Sequence, residues 1–339
     1  MNIYFKQSQN PTTCHIRIFV PLDVFNCQND FDITALHLTE HCCFGSRKEL
    51  EHQNKLAYRF GGFTPEGKLT KISVEFSYSF FTSNFNHAID WFIEFVNRFS
   101  KNLTKNHLRF HQKELIQELT DLDDDYKKFS ILRKKIFLNK PFSLSSGGQM
   151  SLVTKIEPEI VNQYKQIIAK EGVFLLSIPD NFILPKIQGV RFLEVGNIPH
   201  RSPLKSVIKQ KLYQDKNSLA FVLPKISQEE NFILYSSINY LKNELDLFGK
   251  IKHQVSSYPD LGMLSFVGKN ASDTVKSIYA LREQTHNRAV QYASEHLTET
   301  IYLDPEEMII LEGRNWIIGQ ASCSADKVSD ILKNCFCQC

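Results

Sequence analysis

The sequence predicts an α+β fold with two domains, each built from a mainly antiparallel sheet packed by helices. A chain of 339 residues is longer than most single domains. Both halves carry apolar residues at strand spacing and at helix spacing, and both place these elements in a similar order. A change of pattern around 180–200 separates the halves, so we expect a first domain over residues 1–185 and a second over residues 186–339.

The first half alternates strands and helices. The clearest strand pattern covers 69–81, where every second residue from Ile72 to Tyr78 is apolar, as in a half-buried strand. Gly45 follows the apolar segment at 32–43 and is typical of the end of a helix. The complete prediction is strands at 14–20, 69–81 and 172–179, and helices at 32–43, 49–60, 84–99, 105–138 and 157–169.

The second half repeats this arrangement without close sequence identity to the first. A strand is predicted at 218–224, and a strand pair is predicted on the two sides of Pro259 and Asp260. Amphipathic patterns predict the helices. These helices cover 228–248, 271–298 and 304–319.

Composition and charge argue against several classes of function. The formal net charge of +3 is too small to indicate binding to nucleic acid or to an anionic membrane, and basic residues alternate with acidic ones. No apolar run approaches the length of about 18 residues that a membrane span needs. The opening residues, MNIYFKQSQNPTT, lack the pattern of a secretory signal, so we expect a cytoplasmic location.

The eight cysteines indicate no disulfide framework. We expect those in the first half to be reduced thiols that pack as small apolar residues. The terminal sequence NCFCQC is typical of a soft-metal or redox site, although no second ligand cluster accompanies it. The cysteines are Cys14, Cys27, Cys42 and Cys43 in the first half, and Cys323, Cys335, Cys337 and Cys339 in the second.

The segment ITALHLTEHCCFGSR carries the strongest functional signal. On a helix capped by Asp32 or Thr34, positions i, i+3 and i+4 share one face, so His37, Glu40 and His41 project together. Two such imidazoles can bind one Zn²⁺, and an adjacent carboxylate can take a proton from water. The alternative is a surface helix with two solvated histidines, which the apolar surroundings disfavour.

A catalytic zinc site needs a third protein ligand, and the predicted helix 105–138 supplies candidates. Glu114 and Glu118 lie one helical turn apart and repel each other unless a cation or a donor compensates. The alternative is two exposed glutamates on a solvated helix, but the presence of His37 and His41 favours ligation by one of the pair. His111 lies seven residues, or about 10 Å, from Glu118 and is too distant to share the same ion. His111 is therefore expected to contact a ligand residue without binding the metal, to face the substrate, or to be solvated.

These residues resemble the pitrilysin/insulinase family of zinc peptidases with the inverted His-x-x-Glu-His motif, including the type found in mitochondrial processing peptidases. LHLTEHCCFGS is similar to the family's zinc helix, and the likeness continues through 139–180 and, more faintly, into the second half. The resemblance implies one Zn²⁺ per chain with His37, His41 and Glu118 as ligands and Glu40 as general base.

The resemblance also implies a short member that forms half of a clamshell peptidase. Such a chain would act as a homodimer, or as a heterodimer with a related non-catalytic subunit, and would cleave peptide substrates in a dimeric chamber. Precursor or leader peptides of a peptide product are the expected substrates. No nucleic-acid or membrane partner is expected.

Three features depart from the family pattern. His111 stands where a glutamate is usual, and Thr64 and Pro65 replace the Asn-Ala of the substrate edge. The substrate-anchoring Arg and Tyr of the second domain are not recognisable, and His253 stands near the tyrosine position. Substrate anchoring is therefore expected to come from elsewhere, such as a partner.

Two other functions compete with the peptidase. The first is a catalytically silent peptide-binding or scaffolding subunit of a heterodimeric peptidase, which typically loses the zinc motif that this chain keeps. The second is a metal-storage protein that uses Cys335, Cys337 and Cys339, and it predicts that removing residues 335–339 abolishes function.

Overall fold

A computed structural model describes residues 1–8, 12–59, 65–70, 72–122, 124–145, 147–198, 205–247, 249–258, 260–295 and 325–336. These residues form an α+β fold with two compact units, as the sequence predicts. The first unit contains residues 1–122 and 144–198, and the second contains residues 124–143, 205–295 and 325–336. Residues 124–143 thus pack with the second unit, and a domain boundary at residue 185 stays a prediction.

The first unit is built on a six-stranded sheet in the order β3-β4-β2-β5-β1-β6. Strands β2 to β5 pair antiparallel, whereas β1 runs parallel to both β5 and β6. The strands are β1 (Asn2–Ser8), β2 (Thr13–Pro21), β3 (Glu66–Leu69), β4 (Ser73–Phe81), β5 (Val173–Pro179) and β6 (Arg191–Glu194). Apolar side chains of the sheet and of the helices form a continuous core around Ile16, Phe76 and Phe92.

The helices of the first unit follow the predicted order. They are α1 (Asp30–Cys43), α2 (Arg47–Arg59), α3 (Phe85–Asn97), α4 (Lys105–Asp121), α6 (Met150–Val153) and α7 (Pro158–Glu171). Helix α5 (Asp124–Ile136) belongs to the second unit. None of the helices in the described part of the chain is both long and apolar enough to span a membrane.

The second unit contains a four-stranded antiparallel sheet in the order β7-β8-β10-β9. Its strands are β7 (Leu212–Gln214), β8 (Ser218–Leu223), β9 (Ile251–Ser257) and β10 (Gly262–Gly268). Its helices besides α5 are α8 (Gln228–Glu244), α9 (Ala271–Tyr279), α10 (Glu283–Glu295) and α11 (Ala325–Phe336). Their apolar residues pack into a separate core that includes Ile233, Phe266 and Val290.

Several predicted elements prove wrong in extent. The strand predicted at 69–81 appears as β4 (Ser73–Phe81), and only its first residue, Leu69, belongs to β3, because a turn separates the two strands, with Ser73 N–H donating to Thr70 Oγ1 at 2.9 Å. The helix predicted at 105–138 divides at Leu122, whose backbone is extended. The aspartates near this point destabilise the C-terminal end of α4 and stabilise the N-terminal end of α5, because their negative charge interacts with the helix dipole. The helix predicted at 271–298 divides into α9 and α10.

Two predictions fall partly or wholly outside the described residues. The helix at 304–319 does so completely, as do Cys323, Cys337 and Cys339 and the side chain of Cys335. The cysteines of the first half are reduced and buried. Burial raises the pKa of the Cys14 thiol to about 12, so this group packs as a small apolar residue, as expected.

Candidate metal centre

Helix α1 presents the histidine–glutamate motif, and its first turn is capped by Asn29. The side chain of Asn29 accepts hydrogen bonds from the backbone of Phe31 at 2.8 Å and Asp32 at 3.1 Å. The Asp32 carboxylate in turn accepts from the Asn29 N–H at 3.2 Å, which completes a capping box. The predicted caps, Asp32 and Thr34, are therefore wrong by three or more residues, because Thr34 is buried and bonds to Gln149 N–H instead.

Helix α1 is buried on two sides, which places its polar residues inside the unit. One side packs into the sheet core and the opposite side packs against α4 and α7. His37 is 6% exposed and Glu40 is 5% exposed. Polar groups at such positions need specific partners. A surface helix with solvated histidines is therefore the wrong alternative for this segment.

Helix α4 brings the third group to α1. Leu108, Leu115 and Leu119 pack with the apolar residues of α1. This packing directs Glu118, about half exposed, toward both histidines. Its carboxylate oxygens lie 3.4 Å from His37 Nε2 and 3.1 Å from His41 Nε2.

The three groups fit the geometry of a divalent metal. One ligand atom from each of His37, His41 and Glu118 lies within 4.8 Å of the other two. Zinc bonds of about 2.0–2.1 Å in a tetrahedron place neighbouring ligand atoms about 3.3 Å apart. The separations of 3.4 Å from His37 Nε2 to Glu118 Oε1 and 3.1 Å from His41 Nε2 to Glu118 Oε2 are close to this value. The donor set of two imidazole nitrogens and one carboxylate is also one that zinc uses with an open fourth position.

A backbone contact orients the first imidazole. His37 Nδ1–H donates to the carbonyl oxygen of Gly147 at 2.9 Å, in the loop before α6. This hydrogen bond places a proton on Nδ1, so Nε2 is the ring nitrogen that faces Glu118 and His41. Ring-nitrogen contacts of this kind are usual for metal-binding histidines.

Glu40 lies beside the three groups without joining them. Its Oε2 is 3.8 Å from His37 Nε2 and 3.9 Å from His41 Nε2. Burial raises the pKa of the Glu40 carboxyl, and the two histidines oppose this increase only in part. A buried carboxylate with a raised pKa is suited to accept and return a proton.

Gly67 of β3 packs directly on the Glu40 carboxylate. A Cβ atom at position 67 would overlap Glu40 Oε1 and lie 2.6 Å from Glu40 Cδ and 2.8 Å from Phe44 Cε2. A side chain at position 67 would therefore force the Glu40 carboxylate to move. Gly67 was not among the predicted site residues; its one signal in the sequence is a glycine inside a short strand, which often marks a close approach of another group.

The electrostatics of the centre are those of a cation site. Hydrogen bonds from His37 and His41 lower the pKa of Glu118. Burial lowers the pKa of His37, but contacts with Glu118, Glu40 and Gly147 outweigh it and raise the value overall. Two carboxylates thus favour positive charge at this point, which a bound metal ion would supply.

Glu114 and His111 form a neighbouring pair. His111 is 1% exposed, and its Nδ1 lies 2.9 Å from Glu114 Oε2. Its Nε2–H donates to the carbonyl oxygen of Gly45 at 2.5 Å, so α4 is tied to the end of α1. A solvated His111 is therefore excluded. Glu114 approaches only His41 among the motif histidines, whereas Glu118 approaches both.

His253 lies on β9 in the second unit. It is buried, its Nε2–H donates to the carbonyl oxygen of Tyr235 at 3.1 Å, and its ring lies 4.4 Å from the Tyr235 ring. Burial and the nearby Lys242 charge lower its pKa to about 4. These contacts account for His253 structurally, and its role toward substrate stays a prediction.

No protein-family model and no curated protein matches the sequence. Solved structures do match its fold. A protease from Helicobacter pylori aligns with 98% of this chain and 93% of its own, at a TM-score of 0.64 and 12% identity. Complex III2 from Candida albicans, with Inz-5 bound, aligns with 98% of this chain and 90% of the matched chain, at a TM-score of 0.58 and 10% identity. At such low identity the likeness is one of fold, so this chain shares its fold with a protease.

Proposed function

We propose that the protein is a zinc-dependent endopeptidase in which His37, His41 and Glu118 hold one Zn²⁺ and Glu40 is the general base. The observation that carries this proposal is the convergence of two imidazole nitrogens from α1 and one carboxylate from α4, with separations of 3.1 Å and 3.4 Å. A protease with the same fold supports the same reaction class.

The mechanism assigns separate tasks to the chain's residues. When bound, zinc lowers the pKa of a coordinated water and polarises a carbonyl group. Glu40 accepts a proton from the attacking water and returns it to the leaving amine nitrogen, so the peptide bond is hydrolysed without net consumption of acid or base. Gly67 packs on the Glu40 carboxylate beside the histidines.

An extended peptide is the substrate that the surroundings favour. Strand β3 stands at one edge of the six-stranded sheet, and its Gly67 contacts Glu40. A peptide that pairs with an edge strand gains main-chain hydrogen bonds and brings its backbone past the residues beside that strand. We propose precursor or leader peptides as substrates, and a homodimer or a heterodimer with a related non-catalytic subunit as the active assembly.

The test combines zinc content with peptide cleavage. Purified protein should contain one Zn²⁺ per chain and cut peptides at defined bonds identified by mass spectrometry. Glu40→Gln should retain zinc while cleavage falls about 10²–10⁴-fold, the usual contribution of a general base. Cleavage by Glu40→Gln at the wild-type rate would show that this assignment is wrong.

Matched variants separate the alternatives. Glu118→Gln should lose zinc, whereas Glu114→Gln should retain it. Replacing Cys335, Cys337 and Cys339 by serine should leave zinc content and cleavage unchanged if the site is the one on α1 and α4; loss of both would favour a metal-storage protein. A chain that holds zinc but cuts no peptide, alone or with a partner subunit, would be a silent binding subunit.

A further inference from the structure

The positive charge of the chain is concentrated in two segments. Residues 127–143 contain six lysines and arginines, and residues 205–214 contain three lysines, yet neither segment contains an aspartate or a glutamate. The chain as a whole carries only +3. The remaining residues must therefore be net negative, and the alternation of signs inferred from the sequence does not hold here.

The fold of the second unit places these two segments side by side. Phe137 and Ile208 form an antiparallel bridge at the end of α5. Asn139 reinforces it with both groups of its side chain. The hydrogen bonds are Leu138 N–H to Val207 O at 2.8 Å, Lys209 N–H to Ile136 O at 2.6 Å, Val207 N–H to Asn139 Oδ1 at 2.8 Å, and Asn139 Nδ2–H to Lys205 O at 2.9 Å.

One side of this pairing is exposed and basic. Along 205–211 the odd-numbered residues are exposed and the even-numbered ones are half-buried, as in an extended segment that covers a core. Residues opposite each other in an antiparallel pair project to the same side, so Leu138 lies next to Val207. We call this surface the lysine face; it consists of Leu138, Lys140, Lys205, Val207, Lys209 and Lys211.

The lysine face has the chemistry of an uncovered docking surface. Among the described residues, none of its four lysines has an ion-pair partner. The carboxylate of Asp260 contacts the same segment, but it accepts from Ser206 N–H at 2.8 Å. At the apolar centre, Leu138 is 57% exposed and Val207 is 49% exposed. Like charges two residues apart repel each other over about 7 Å, within the screening length of physiological salt.

We propose that the lysine face docks on an anionic lipid membrane surface. Clusters of four to eight basic residues bind anionic headgroups, and aliphatic side chains between them enter the interface. Lysine is a point charge without the planar fork that arginine uses for specific partners. Cores of protein interfaces are depleted of lysine and enriched in aromatic residues, methionine and arginine, and single-stranded nucleic acid is usually bound with aromatic stacking. The composition of this surface therefore favours lipid over both.

A membrane partner bound through the lysine face would replace the expectation that the chain has none. Attachment would be peripheral, because none of the described helices can span a bilayer. The lysine face belongs to the second unit, whereas the candidate metal centre belongs to the first. Membrane binding can therefore be tested independently of zinc binding and of the proposed peptidase reaction.

Vesicle sedimentation tests the proposal with the full chain. Wild-type protein should sediment with vesicles of phosphatidylcholine mixed with phosphatidylserine, remain in solution with phosphatidylcholine alone, and dissociate at high salt. The triple variant Lys205→Gln, Lys209→Gln and Lys211→Gln should bind about a hundredfold more weakly, since each lysine near such a surface contributes about fivefold.

A control variant removes the same charge elsewhere. Lys48→Gln, Lys105→Gln and Lys186→Gln change three exposed lysines of the first unit and should bind close to wild type. Equal weakening of both triple variants would show that only net charge matters and would overturn the proposal. Failure of the wild type to sediment with anionic vesicles would also overturn it, including the case in which an acidic peptide such as polyglutamate binds instead.

Discussion

Helix α1 of the first unit and helix α8 of the second begin in the same way and differ in what their buried polar groups do. Both start with a capping box, formed by Asn29 and Asp32 in α1 and by Ser227 and Glu230 in α8. Both lie against the core of their unit. The shared features reflect how helices are started and buried, and they say nothing about function.

The buried polar groups of α8 are used within the structure. The Ser237 hydroxyl donates to the carbonyl oxygen of Ile233 at 2.6 Å, and Glu230 accepts from Ser227 N–H at 2.7 Å and from Lys327 Nζ at 2.8 Å. In α1, by contrast, His37 and His41 meet a carboxylate from another helix. A buried polar group thus indicates a site when its electron pairs converge with those of a different element, and burial alone is insufficient.

The largest expected effect is on zinc binding, and it contrasts His41 of the first unit with His253 of the second. His41→Ala removes a proposed ligand, so zinc content measured by elemental analysis should fall to background. His253→Gln changes a buried histidine of the second unit and should leave zinc content unchanged. Equal loss in both variants would indicate general unfolding, and retention of zinc in His41→Ala would remove His41 from the ligand set.

The next effect concerns the contact between β3 and Glu40. Gly67→Ala places a Cβ where the Glu40 carboxylate lies, so the general base must move. Peptide cleavage should fall about a hundredfold, as a misplacement of about 1 Å can cause, while zinc is retained. Gly196→Ala is the control, because a Cβ there meets nothing within 4 Å. Full activity of Gly67→Ala would show that the position of Glu40 does not matter for cleavage and would contradict its role as general base.

Acid should destabilise the second unit through His253. Its pKa of about 4 in the folded chain lies below the ordinary value of 6.5, so the neutral form is favoured by folding. The free energy of unfolding is therefore unaffected by His253 above pH 6.5, and it decreases by about 3 kcal/mol as the pH falls from 6.5 toward 4, because the unfolded chain binds the proton first. Unfolding by urea of the metal-free chain measures this, and His253→Gln should show a smaller change over the same range. The same pH dependence in His253→Gln and in the wild type would show that His253 is not the group responsible.

The smallest effect compares the two caps. Asn29→Ala and Ser227→Ala each remove a capping side chain and should each lower the free energy of unfolding by about 1 kcal/mol. Only Asn29→Ala should also weaken zinc binding, because α1 carries two proposed ligands. Zinc titration of both variants checks this; equal weakening would mean that cap loss acts through global stability.

Sequence patterns predicted most of the individual elements. The strands at 14–20, 172–179 and 218–224 appear as β2, β5 and β8, because alternation of apolar residues is a local property. The patterns missed β1 and its parallel pairing with β5, since its partner lies about 170 residues away in the chain. They also predicted a single helix where the structure has α4 and α5, which pack in different units.

Local helix geometry explains what the sequence determined by itself about the candidate site. The spacing of His37, Glu40 and His41 places them on one face of any helix, so the pair of imidazoles and the adjacent carboxylate could be recognised without a structure. The choice between Glu114 and Glu118 could not be made from spacing alone, and only the resemblance to a family favoured Glu118.

Packing of distant segments decided the rest. The approach of Glu118 to both histidines, the contact of Gly67 with Glu40 and the bond from His37 to Gly147 each join residues far apart in the chain. The lysine face likewise exists only because 205–211 lies beside the end of α5. The local sequence pattern shows whether a segment has the apolar spacing of a helix or of a strand. Contacts between elements depend on how their apolar faces pack, and only the tertiary structure specifies this packing.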